Sequence, residues 1–303
     1  MTARPDFFIA GASKCGTTAL FEYLSSHPQV YMSRDKEPKF FCTDLKTSGG
    51  VYTLDEYRAL FASAPLNCLT GEATTLYLYS AVAIERVMAY NPNAKIIVML
   101  RYPVDAAHAL HATAWSYRIE NIEDFEEAWR AQDARRSGKR MPPNWPDPAT
   151  LRYGAIYRYA EQVRRVMEHV PEKQRRIMVY EEFFADPRGQ YAKLLDFLQL
   201  APDPDAAFPV INGSRGSRSR RFERLLRKPP PWLKTLYAPM RPLLRQAGFS
   251  PAQALSELNA VPRPKAALRP AFRAELDRYF ADDIAELEGL LGRPLWRQRA
   301  GRK

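Results

Sequence analysis

The residues best suited to chemistry lie close together in residues 5–20. Gly11 and Gly16 are spaced G-x-x-x-x-G, Lys14 lies between them, and Thr17 and Thr18 follow at once. The N–H groups and dipole of a helix N-terminus favour negative charge. A lysine and two hydroxyls at that point add a mobile cation and further donors. The pattern departs from the commonest phosphate loop, G-x-x-x-x-G-K-[ST], because Thr17 stands where that motif requires lysine. Such a loop is laid out for one terminal phosphate-like group, not for a triphosphate wrapped around magnesium. Glycine-rich turns between a strand and a helix also occur where nothing binds. Lys14 and the two threonines argue for a ligand here.

These residues need a scaffold, and the apolar pattern supplies one. Residues 6–10 read as a buried strand running into Gly11, and residues 17–26 as a helix. Residues 30–32 read as a short strand. Residues 67–71 read as a strand closed by Gly71, with Glu72 directly beyond its tip. Residues 95–100 form the strongest strand, five continuous apolar residues after Lys95 and ending at Arg101. Helices are expected over 54–62, 81–90, 103–117, 122–133, 153–169, 191–200 and 273–291, and a further strand over 176–180. Strands alternating with helices predict an α/β fold: a P-loop-type, three-layer domain with a central parallel β-sheet flanked by helices. Ligands on such sheets bind beyond the carboxyl ends of the strands, so Gly11, Gly71 and Arg101 should converge.

At 303 residues the chain is long enough for one large domain. We read it as one, 1–303, with residues 212–303 as its covering loop and helices. The net charge of +11 implies an anionic partner without naming it. Nucleic acid, an acidic cofactor, a sulfated or phosphorylated substrate and a lipid surface all fit, as does a plain solvated surface. Cys15, Cys42 and Cys68 are odd in number and lack a C-x-x-C pair. They suit a reducing compartment, here the cytoplasm, rather than a disulfide framework or a zinc site. There is no apolar run near 18 residues and no signal-peptide core.

At Ser13, Lys14, Cys15, Gly16, Thr17 and Thr18, together with Arg101 through Asp105, the chain resembles the sulfotransferases that use 3′-phosphoadenosine 5′-phosphosulfate (PAPS). The likeness is to the bacterial and carbohydrate-type branch, including the heparan sulfate enzymes. The run 36–41 (Lys-Glu-Pro-Lys-Phe-Phe), Gly71 with Glu72, Leu76 to Leu78, Tyr153 with Gly154, and residues 287–296 follow in the family's order. The resemblance implies that Lys14, Cys15, Gly16, Thr17 and Thr18 bind the 5′-phosphosulfate, with Lys14 also steadying the leaving oxygen. It implies Arg101 at the 3′-phosphate and Glu37 as the catalytic base, in a turn packed by Phe40 and Phe41. At the family's usual serine stands Ala109, near His108 and His111; either a histidine substitutes or the phosphate has one contact fewer. Lys39 replaces a frequent histidine, and Ala73 replaces a lysine of the heparan enzymes. Arg218, in the arginine-rich loop 212–221, is the candidate for a segment folded over the nucleotide.

The resulting expectation is a PAPS-dependent sulfotransferase, leaving 3′-phosphoadenosine 5′-phosphate (PAP). Its acceptor is a small molecule or glycan: carbohydrate, lipid-linked or a secondary metabolite. No nucleic-acid motif accompanies the charge. The basic residues 232–246 suggest peripheral contact with an anionic membrane surface or a lipid-linked substrate. Two other readings stay open, a P-loop nucleotide kinase and a non-catalytic basic binding module.

Overall fold

The computed structural model describes residues 4–46, 53–143, 145, 147–211, 215–217, 260–262 and 267–296. Five parallel strands form the central sheet: β1 (Phe7–Gly11), β2 (Val30–Met32), β3 (Leu69–Ala73), β4 (Lys95–Leu100) and β5 (Arg175–Val179). Their spatial order is β2-β3-β1-β4-β5. β1 and β4 are unbroken apolar runs, buried along their lengths apart from Lys95, as strands covered on both faces must be. In register, Phe8 pairs with Glu72 on one side and Ile96 on the other. From β1 the chain first builds the β3–β2 side and then crosses to β4 and β5. That reversal opens a crevice at the carboxyl ends of β1 and β4.

The helices are α1 (Thr17–Ser25), α2 (Leu54–Ala59), α3 (Ala83–Tyr90), α4 (Pro103–Ser116), α5 (Phe125–Arg130), α6 (Gln132–Arg136), α7 (Tyr153–Ile156), α8 (Tyr159–His169), α9 (Tyr180–Ala185), α10 (Pro187–Leu198) and α11 (Pro270–Leu291). α1 and α10 are joined where Tyr191 Oη donates to the Tyr23 carbonyl at 3.0 Å. α8 packs against α3 and α11. The expected three-layer α/β architecture is therefore present. No helix among the described residues is long and apolar enough to cross a membrane.

Three elements differ from expectation, each for a local reason. β3 does not stop at Gly71 but continues to Ala73, so Glu72 lies inside the strand. Gly71 serves close packing instead of a turn: a Cβ there would meet Phe7 Cζ at 2.2 Å and Met32 Sδ at 2.6 Å. The helix expected over 153–169 is broken into α7 and α8, because Tyr157 and Tyr159 both turn fully inward. The helix expected over 122–133 begins only at Phe125, where the Asp124 carboxylate caps it by accepting from the Glu127 N–H at 2.8 Å.

The chain forms two compact units, Met1–Pro209 with Leu268–Lys303, and Val210–Ala267. In the second, Arg215–Ser217 and Ala260–Pro262 pair antiparallel.

A buried ion pair holds the α4–α7 region together. Glu120 and Arg135 are both without solvent exposure and meet through two bonds of 2.7 and 2.8 Å. Tyr153 Oη donates to the same carboxylate at 2.6 Å, and the N–H groups of Asn121 and Ile122 donate at 2.8 and 3.0 Å. Burial alone would raise the Glu120 carboxyl, but the bonds from Arg135 and Tyr153 outweigh it and hold Glu120 below the usual carboxylate range. Removing one partner strands a buried charge. Arg135→Met should therefore cost roughly 3–5 kcal/mol in urea unfolding, and adding Glu120→Leu should recover much of that loss.

Candidate functional site

The loop between β1 and α1 is anchored from three sides. The Ala12 N–H donates to the Met99 carbonyl of β4 at 2.8 Å. Tyr157 Oη donates to the Ser13 carbonyl at 3.0 Å. Ser13 Oγ donates to Thr75 Oγ1 at 2.9 Å. Gly16 is the N-cap of α1 in the left-handed region, φ 89°, and no side chain caps the helix. A Cβ at Gly16 would lie 2.9 Å from Phe184 and 3.1 Å from Met99 Sδ. Glycine is thus required there both by conformation and by space. The first N–H groups of α1, at Thr17 and Thr18, have no intrahelical acceptor. Lys14 is also left-handed, φ 61°.

Cys15 behaves differently from its neighbours. Its thiol is fully buried, donates to the Ser13 carbonyl at 3.3 Å and lies 3.5 Å from Tyr159 Oη. Burial pushes it up to about 12, so at neutral pH it is an uncharged packing group.

Arg101, just past β4, reaches the loop directly. Its Nη1 donates to the Lys14 carbonyl at 3.2 Å, and its guanidinium lies 4.4 Å over the Tyr180 ring. Its Nε is buried with no hydrogen-bond partner among the described residues. An arginine held over an aromatic face, with a desolvated donor left over, suits an incoming oxyanion. Lys14 and Arg101 therefore meet across the β1–β4 crevice, as the strand-end argument requires.

Glu37 lies in a turn over the end of β3. Its N–H donates to the Ala73 carbonyl at 2.9 Å. Oε2 accepts from the Thr75 N–H at 3.0 Å and from Thr75 Oγ1 at 3.3 Å, and Oε1 pairs with Lys36 Nζ at 3.2 Å. Phe40 stacks on Tyr57 at 4.5 Å, and Phe41 packs edge-on against Phe8, Tyr57 and Tyr77. Beneath the turn, Glu72 is fully buried and receives hydrogen bonds from three hydroxyls: Thr74 and Tyr57 at 2.7 Å each, and Tyr77 at 3.1 Å. Gly71 therefore does not bring a ligand-facing group to the crevice; the β3 side contributes Thr75.

The remaining positions fall elsewhere or lie beyond view. Ala109 is buried in α4 and offers only a methyl group. His111 is engaged with the Ile122 carbonyl at 2.9 Å and packs on Phe125 and Tyr153; burial lowers its pKa, so it is neutral at ordinary pH. His108 stacks on Phe125 at 5.3 Å. Arg218 lies outside the described residues. The sequence reading missed Thr75, Tyr157 and Tyr180. The tyrosines at 153, 157 and 159, close together in residues 151–160, were a usable signal of burial; Thr75 carried none.

A cavity of about 510 Å³ lies on the α5–α8 side, lined by Arg130, Arg136, Arg152, Arg158 and Arg165 with Trp129 as an aromatic wall. Three carboxylates, those of Asp44, Asp133 and Glu161, share it, so the arginines leave it net positive. Gln162 Oε1 and Arg165 Nε, both on its lining, are buried with no partner among the described residues.

Known proteins resemble this chain over much of its length. The sulfotransferase domain family matches residues 4–215. Human heparan sulfate glucosamine 3-O-sulfotransferase 3B1 is 30% identical over 196 residues, covering 65% of this chain and 46% of that protein. The membrane-associated sulfotransferase kil1 of Dictyostelium discoideum is 33% identical over 101 residues, 33% of this chain and 21% of that protein. The chain thus spans about half the length, or less, of these curated relatives. A crystal structure of a sulfotransferase from Alicyclobacillus acidocaldarius superposes with a TM-score of 0.71 at 26% identity, covering 98% of this chain and 99% of that one.

Burial raises the Glu72 carboxyl from 4.5 to about 7, against the opposing pull of its three hydroxyl donors. A carboxyl raised on folding binds its proton more tightly in the native state. Its contribution is complete below the unfolded value and is lost as pH rises through the folded one. The melting temperature of the wild type should therefore fall relative to that of Glu72→Gln between about pH 4.5 and 7 and run parallel above that window. A constant offset across those pH values in thermal melts would count against the raised carboxyl.

Proposed function

This chain belongs to the sulfotransferase family, and from that membership we propose that it transfers a sulfuryl group from PAPS to a hydroxyl or amine, releasing PAP. One observation carries the reading. The Lys14 loop and Arg101 are bonded across the β1–β4 crevice, and the Glu37 carboxylate is tied to the same loop through Thr75. These bonds bring the loop that carries Lys14, the start of α1 and the Glu37 turn next to one another.

The residues present suit the donor. Lys14 and the first N–H groups of α1 at Gly16, Thr17 and Thr18 would take the 5′-phosphosulfate. Arg101, with its buried, unpartnered Nε, would take the 3′-phosphate. Cys15 supports the loop from below and Ala109 gives that phosphate no hydroxyl, so Arg101 carries more of the contact. On the acceptor side, Oε1 of Glu37 retains a lone pair beyond the one facing Lys36. Glu37 accepts the acceptor's proton as its oxygen or nitrogen attacks sulfur in line. The bond from sulfur to the phosphate oxygen breaks, and Lys14 stabilises the charge left on that oxygen. A loop without the usual phosphate-loop lysine after its second glycine needs no magnesium-bound triphosphate, which disfavours the kinase reading.

For the acceptor we favour an anionic glycan. The relatives named as acting on heparan sulfate glucosamine motivate this, and the arginine-lined cavity with its aromatic wall is the surface that suits acidic sugar rings. The three free thiols favour the cytoplasm as the working compartment.

The test combines binding and turnover. PAP, but not Mg-ATP, should raise the melting temperature. Glu37→Gln should keep PAP binding while its transfer of label from sulfur-labelled PAPS to an extract of the source cells falls on the order of 10²–10⁴-fold. Undiminished transfer by Glu37→Gln would refute its role as base, and stabilisation by Mg-ATP alone would restore the kinase reading.

A further inference from the structure

We infer that Glu72 is a positioning residue that sets the Glu37 turn through two hydroxyl relays, without touching either substrate. The inference rests on the reading of Glu37 as the base. Glu37 and Lys39 both occupy the left-handed region, at φ 65° and 60°. Two such non-glycine residues in one short turn persist only where surroundings over-determine them. Three main-chain N–H groups pin the turn. That of Glu37 donates to the Ala73 carbonyl at 2.9 Å. Those of Lys39 and Phe41 end on hydroxyl oxygens, Thr74 Oγ1 at 3.2 Å and Tyr77 Oη at 3.4 Å.

Each of those hydroxyls in turn donates a hydrogen bond to Glu72. Thr74 donates to Oε1 at 2.7 Å and Tyr77 to Oε2 at 3.1 Å, while Tyr57 adds a third bond to Oε2 at 2.7 Å. A hydroxyl has a single proton. When Glu72 is ionised, as it is above its raised range, it accepts on both arms and the lone pairs of Thr74 and Tyr77 are left pointing at the turn. The two carboxylate oxygens thereby fix the polarity of both relays at once. An amide at position 72 would present a donor to one arm, turn that hydroxyl round and set its proton against a main-chain N–H. β3 delivers this support from the strand itself, which is why Glu72 lies inside the strand and not beyond its end.

The arms can be cut singly. Thr74→Val keeps the shape and removes the relay to Lys39; Thr74→Ser keeps the relay. Both are measured beside Glu72→Gln and Glu37→Gln, by label transfer from sulfur-labelled PAPS to the cell extract and by calorimetric titration with PAP. Thr74→Val and Glu72→Gln should lose turnover on the order of 10- to 100-fold with PAP affinity held within about twofold, and Thr74→Ser should restore turnover. Should Glu72→Gln fail to fold, the Thr74 pair decides alone. Wild-type turnover in Thr74→Val, or turnover and PAP affinity falling in step, would overturn the inference even if Glu37→Gln is inactive. An active Glu37→Gln would instead remove the premise on which it rests.

Discussion

A single hydroxyl, that of Thr75, joins the two halves of the crevice. It accepts from Ser13 Oγ and donates to Glu37 Oε2, so its one proton and one of its lone pairs are both committed. The Lys14 loop follows β1 and the Glu37 turn rides on the end of β3, and Thr75 bridges them through its side chain. The remaining contacts of the loop serve the same alignment. Met99 holds it to β4, Arg101 grips its carbonyl, and Tyr157 supports it from the α7–α8 junction. A site assembled from the ends of parallel strands has no covalent continuity of its own, and bonds of this kind substitute for it.

The polar groups beneath the site are costly to bury and are tolerated because they are fully partnered. Glu72 has three hydroxyl donors, and Glu120 has Arg135, Tyr153 and two main-chain N–H groups. Apolar replacements of similar volume would often be as stable. What such networks add is direction: each hydrogen bond admits one arrangement of its neighbours, whereas apolar packing admits several. The two clusters lie where direction matters, one under the Glu37 turn and the other behind the segment that carries Tyr157.

Much of the scaffold could be read in advance, because β1 and β4 are long apolar runs bounded by glycine or arginine and buried strands cannot hide that pattern. The Lys14 loop and Arg101 were legible for the same reason, since they lie at the ends of those strands. Gly71 misled, because a glycine that admits Phe7 and Met32 looks in sequence like one that makes a turn. The break between α7 and α8 was invisible to periodicity, which registers apolar spacing but not two tyrosines buried in succession. Thr75 depends on partners far away in the chain, and the Glu120–Arg135 pair is joined across 15 residues with no regular spacing to mark it.

The thiol of Cys15 has a practical corollary. A cysteine in the middle of the β1–α1 loop looks like an obvious handle for alkylating reagents or covalent inhibitors. Reagents of that kind attack the thiolate, and here the proton is retained to about 12 with the sulfur sealed from solvent. Labelling of the native protein will instead report on Cys68, the partly exposed thiol of the three, which directly precedes β3 at that strand's amino end.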